Sequence, residues 1–97
     1  MQARTAEAIE RTTVHFSGRV QGVGFRYVCH NIAQQYDVHG YVRNLSDGRV
    51  ELVLEGPHGQ TDELLGAVRQ RMEGFIKAVD LHVQPATGEF SQFAIRG

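Results

Sequence analysis

The segment "GYVRNLSDGRVELVLEG", Gly40 to Gly56, narrows the possible folds sharply. Apolar and polar residues alternate on both sides of Ser46-Asp47-Gly48, and Asp-Gly is the chemistry of a tight turn between antiparallel strands. In the second run Val50, Leu52 and Leu54 share one face, while Glu51, Val53 and Glu55 share the other. A lone hairpin is marginal in water, so its apolar face needs a cover.

The flanking segments supply one. Phe25, Val28, Cys29, Ile32, Ala33 and Tyr36 recur at i, i+3, i+4, i+7, i+8 and i+11, which is one face of a helix. Downstream, Thr61 reads as an N-cap before Asp62 and Glu63. Leu64, Leu65, Val68 and Met72 then form an apolar stripe, and Gly74 ends it. Three further runs alternate as strands: "TVHFSG" with Val14 and Phe16 on one face, "AVDLHV" with Val79, Leu81 and Val83, and "FSQFAIR" with Phe93 and Ile95.

The order is strand, helix, strand, strand, helix, strand and a short last strand. It predicts an α+β, ferredoxin-like βαββαβ sandwich, an antiparallel sheet with two helices on one face. Residues 1–11 are polar with little to bury and are expected to form a flexible extension, leaving 12–97 as the domain.

Composition limits function. A chain of 97 residues is one domain. A net charge of −1 gives no global pull toward nucleic acid or an anionic membrane, so neither is expected as a partner. The one cysteine, Cys29, lies on the helix stripe, where an inert buried thiol is expected. No Cys/His spacing suits a metal, so no metal or other cofactor is expected. No apolar run approaches the ~20 residues of a membrane span, and the N-terminus lacks the apolar core of a signal peptide. A cytoplasmic setting is expected. The five histidines are scattered without telling carboxylate spacing, and Glu51 and Glu55 read as a solvated strand face.

"GRVQGVGFR", Gly18 to Arg26, joins the first strand to the first helix. Such a junction turns several backbone N–H groups into one concavity, and the helix end adds partial positive charge. Glycines permit the required backbone angles. Arg26, in the first helical turn and off the apolar stripe, could hold two oxygens of a phosphate in a fork. Arg19 adds positive potential. The stretch lacks the Gly-Lys-Ser/Thr of a nucleotide P-loop, and Tyr27 stands where a dinucleotide fingerprint needs glycine. A small phosphorylated group is the expected ligand. The competing reading is a tight connection with no ligand; the arginine and the junction position weigh against it.

"GRVQGVGFR" resembles the signature of the acylphosphatase family. "GYVRN", Gly40 to Asn44, is similar to the family's second motif, Gly-aromatic-Val-x-Asn, although Tyr41 stands where tryptophan is usual. "DGRVELVLEG" and "FSQFAIR" extend the likeness from about Thr12 to Gly97. The resemblance implies hydrolysis of small-molecule acyl phosphates by a monomeric, metal-independent enzyme. It implies backbone phosphate binding by Val20, Gln21, Gly22, Val23, Gly24 and Phe25, and catalytic roles for Arg26 and Asn44, the latter aiming a water. A non-catalytic anion-binding or regulatory module on the same fold is the alternative. A nucleic-acid binder would need stacked aromatics on a basic sheet face, where Glu51 and Glu55 oppose it.

Overall fold

β2 (His39–Asn44) and β3 (Val50–Pro57) pair antiparallel about the Asp-Gly turn, with Asn44 opposite Val50 and His39 opposite Glu55. In this computed structural model, which describes residues 8–97, the remaining elements build outward from that hairpin. They are β1 (Ile9–Gly18), α1 (Phe25–Ala33), α2 (His58–Arg71), β4 (Ile76–Pro85) and β5 (Phe93–Arg96). The strands lie in the order β4-β1-β3-β2-β5 in one sheet.

The sheet is mixed, not wholly antiparallel as expected, because β5 runs parallel to β2. The reason is topological. β4 delivers the chain to Pro85, beside Glu10, at the same end of the sheet where β2 begins. A strand that leaves from there along the free edge of β2 must run the same way.

Both helices pack on one face. Val14, Phe16, Val42, Val50, Leu52 and Leu54 of the sheet are fully buried beneath Phe25 and Cys29 of α1 and Leu64 and Val68 of α2. The rings of Phe16 and Phe25 sit 4.9 Å apart, tying β1 to the start of α1. No helix among the described residues is long and apolar enough to cross a membrane.

Gly40 shows why the motif in β2 opens with glycine. Its φ is +148°, and a Cβ there would meet the carbonyl oxygen of Val53 at 1.8 Å. The absent side chain lets β2 approach β3 closely.

Several boundaries differ from the sequence reading. β1 begins at Ile9, so Ile9–Arg11, assigned above to the extension, are ladder residues opposite Pro57, Gly56 and Glu55. Of the rest of that extension, Ala8 is exposed just ahead of the strand, and residues 1–7 lie outside the described residues. α1 ends at Ala33, short of Tyr36, which packs on the core from the following turn. α2 begins at His58 behind Pro57, whose φ of −62° suits a helix start. Thr61 is therefore not a cap. It is buried inside the helix, and its hydroxyl donates to the His58 carbonyl at 2.9 Å.

The open sheet face is not the solvated face expected for Glu51 and Glu55. Glu55 is buried, and its carboxylate accepts from Arg11 at 2.8 Å and from the Thr87 and Gly88 amides, each at 2.9 Å. Glu51 is half-buried and accepts from Tyr41 at 2.9 Å and Arg43 at 2.7 Å, with His15 Nε2 at 3.0 Å. The segment between β4 and β5 crosses this face, which is how Thr87 and Phe90 come to lie over it.

Candidate active site

β1 ends in an irregularity between Ser17 and Gly18, and the chain turns from the sheet toward α1. Val20, 1% exposed, anchors the loop in the core. The Arg19 amide donates to the Phe75 carbonyl at 2.9 Å, and its guanidinium lies 5.5 Å from the Phe75 ring. Arg19, expected to supply potential, fastens the loop to the turn before β4.

Gly24 is the N-cap of α1. Its φ of +80° is left-handed, a conformation glycine takes at no steric cost, and no side chain caps the helix. The first intrahelical bond runs from the Val28 amide to the Gly24 carbonyl at 3.0 Å. Among the described residues, the amides of Val20 to Gly24 donate no hydrogen bond, and those of Phe25, Arg26 and Tyr27 precede that first bond. The first turn also carries no acidic residue. A run of unpaired N–H groups at the positive end of a helix attracts an anion.

Arg26 is held from below. Its Nη1 donates to the backbone oxygens of Gly97 at 3.0 Å and Arg96 at 3.3 Å, so the end of β5 aims it. Its Nε and Nη2 have no partner among the described residues. Asn44 closes β2 on the helix-covered side, in phase with buried Gly40 and Val42. Its carboxamide makes no hydrogen bond to another described residue. Both side chains line one pocket of about 270 Å³ together with Val20, Gly22, Gly24, Phe25, Tyr27 and Ile95.

The chain matches the acylphosphatase family model over residues 12–95. It belongs to the acylphosphatase family. An acylphosphatase of Rubrobacter xylanophilus is 42% identical over 97 residues, covering 95% of this chain and 84% of that one. One of Paenarthrobacter aurescens is 43% identical over 86 residues, covering 88% and 92%. The crystal structure of acylphosphatase from Bacillus subtilis superposes with a TM-score of 0.81 at 28% identity, over 91% of this chain and 99% of that one.

Of the eight residues that the resemblance to acylphosphatases singled out, six line the pocket: Val20, Gly22, Gly24, Phe25, Arg26 and Asn44. Val23 packs against the core instead, and the Gln21 side chain reaches the β2–β3 turn. Tyr27 and Ile95, 64% and 41% exposed, were missed and form an apolar rim. Tyr27 was legible as a first-turn residue off the apolar stripe. Ile95 was not, since nothing local reveals that β5 runs beside β2.

Tyr41, the departure from the acylphosphatase pattern, lies on the opposite sheet face from Asn44. Its ring stacks under Arg96 at 4.0 Å and meets Phe90 edge-on at 5.8 Å. Cys29 is buried on the core side of α1, and desolvation pushes its thiol up to about 12, so it stays protonated. Among the described residues no group of three or more His, Cys, Asp or Glu side chains is arranged to hold a metal.

Proposed function

We propose that this chain hydrolyses the carboxyl–phosphate bond of acyl phosphates to a carboxylate and inorganic phosphate. The observation that carries the reading is the meeting of unpaired loop amides, Arg26 and Asn44 in one pocket. The amides from Val20 to Phe25 hold phosphoryl oxygens. Arg26, aimed by the backbone oxygens of Arg96 and Gly97, pairs with the same group and stabilises charge on its equatorial oxygens. The Asn44 carboxamide oxygen accepts a hydrogen bond from water and directs it at phosphorus. The water oxygen bonds to phosphorus as the bond to the acyl oxygen breaks. The carboxylate departs with that electron pair, and the proton of the water passes to a phosphoryl oxygen. Tyr27 and Ile95 offer the acyl group an apolar wall.

The leaving carboxylate is weakly basic, so no strong general acid is required. Fixed amides and a guanidinium supply the charge stabilisation a metal gives elsewhere, and the reaction is metal-independent in this reading. One chain furnishes the whole pocket, which supports action as a monomer. A lone buried thiol is in keeping with a cytoplasmic setting.

No observation favours the non-catalytic module or the nucleic-acid binder. On the open sheet face Arg96 and Arg11 already stack on Tyr41 and Phe90, and Glu51 and Glu55 are committed to internal partners. The test is release of benzoate and phosphate from benzoyl phosphate at neutral pH in excess EDTA. Catalytic release, undiminished by the chelator, is expected. No release would return the reading to an anion-binding module, and activity restored by magnesium or zinc would overturn its metal independence.

A further inference from the structure

Gln21 does something the backbone reading of its loop does not contain. Its side-chain Nε2 donates to the Leu45 carbonyl at 2.7 Å and to the Arg49 carbonyl at 3.0 Å, which uses both of its hydrogens. Leu45 and Arg49 are the two ends of the β2–β3 turn. The Leu45 amide donates to Arg49 at 2.8 Å, and the Gly48 amide returns to Leu45 at 3.2 Å. Leu45 directly follows Asn44. Among the described residues, no other hydrogen bond joins the loop at 19–24 to the turn at 45–49.

We infer that Gln21 is a positioning residue that fixes Asn44 relative to the phosphate cradle. The inference rests on the reading of Asn44 as the group that directs water. The two halves of the site lie on separate elements: the cradle on the β1–α1 junction, Asn44 at the end of β2. In-line attack needs both in register, and a misplacement of about 1 Å can cost about 10²-fold in rate. One carboxamide bound to both ends of the turn sets that spacing. Gln21 is half-buried and outside the hydrophobic core, so its replacement leaves the core packing intact.

Two variants test this. Gln21→Met keeps the length and removes the donors. Gln21→Glu keeps the shape and presents oxygens to two carbonyls. Each is made alone and with Asn44→Ala, and kcat on benzoyl phosphate and the inhibition constant of inorganic phosphate are measured on protein shown to be folded by circular dichroism. Either single variant is expected to lower kcat by about 10- to 100-fold, with the phosphate constant nearly unchanged. In the Asn44→Ala background the same change should add no further loss, because its effect runs through Asn44.

Wild-type kcat in a folded single variant overturns the inference. So does an equal loss in both backgrounds, or a phosphate constant that worsens in step with kcat, which would tie the Gln21 side chain to phosphate binding itself. Failure of both variants to fold would make Gln21 a structural residue and also overturn it. Undiminished kcat in Asn44→Ala alone would instead remove the reading of Asn44, and this inference with it.

Discussion

Arg11 on β1 stands directly opposite Glu55 on β3, and its Nε lies 2.8 Å from the Glu55 carboxylate. The pair sits on the sheet face away from the helices. It ties the start of β1 to the segment that crosses this face on its way to β5, since Thr87 binds both residues.

A chain that starts at Thr12 therefore loses structure. It removes three rungs of β1 and the guanidinium partner of a buried carboxylate. Arg11→Ala isolates the second effect and should cost about 1–3 kcal/mol. For a domain of this size each kcal/mol lowers Tm by roughly 4–8 °C. Thermal unfolding followed by circular dichroism measures it, and an unchanged Tm for both proteins would show that the pair contributes nothing.

Glu55 predicts how the fold responds to acid. Burial alone raises its carboxyl pKa, but the Thr87 amide, Arg11, the Gly88 amide and the Thr87 hydroxyl outweigh this and hold it at about 2, against an ordinary 4.5. Between those values the unfolded chain binds the proton and the folded chain does not. The stabilisation from Glu55 is thus complete above about pH 4.5 and is lost as pH falls toward 2. Urea midpoints at pH 6, 4 and 3 should fall in that order. Glu55→Gln should start lower at pH 6 and decline less steeply, whereas a parallel decline would assign the acid sensitivity to other carboxylates.

Gly40→Ala should be severe. The added Cβ would lie 1.8 Å from the Val53 carbonyl oxygen at a φ of +148°, so β2 and β3 must part. A cost of about 4 kcal/mol or more, or failure to fold, is expected. Gly66→Ala is the control. Gly66 is exposed in α2 with nothing within 4 Å of an added Cβ, and it should gain about 0.5–1 kcal/mol. Denaturant unfolding of both variants checks the contrast, and similar stabilities would refute it.

The elements and the pocket's main residues were legible because their signals are local. The alternation around Ser46-Asp47-Gly48 and the apolar stripe from Phe25 to Ala33 are periodic patterns, and the loop and Asn44 fall in short motifs. What escaped depends on the tertiary arrangement. The parallel pairing of β5 follows from where β4 ends. The burial of Glu55 follows from a segment more than thirty residues downstream folding across the sheet. The Gln21 side chain finds its acceptors in a turn more than twenty residues away. Thr61 read as a cap because threonine before two acidic residues has that signature, yet Pro57 had already started the helix.

The division of labour between Arg26 and Asn44 is tested most directly by measuring, on folded variants, kcat for benzoyl phosphate beside the inhibition constant of inorganic phosphate. In the proposed mechanism Arg26 touches the phosphoryl group before and during reaction, so Arg26→Ala should weaken both, and Arg26→Lys should recover little because an ammonium lacks the bidentate fork. In the same mechanism Asn44 acts on water, chiefly in the transition state, so Asn44→Ala should lower kcat by at least about 10²-fold while phosphate binds as before. A folded Asn44→Ala that binds phosphate as poorly as Arg26→Ala, or that retains near-normal kcat, would contradict that division.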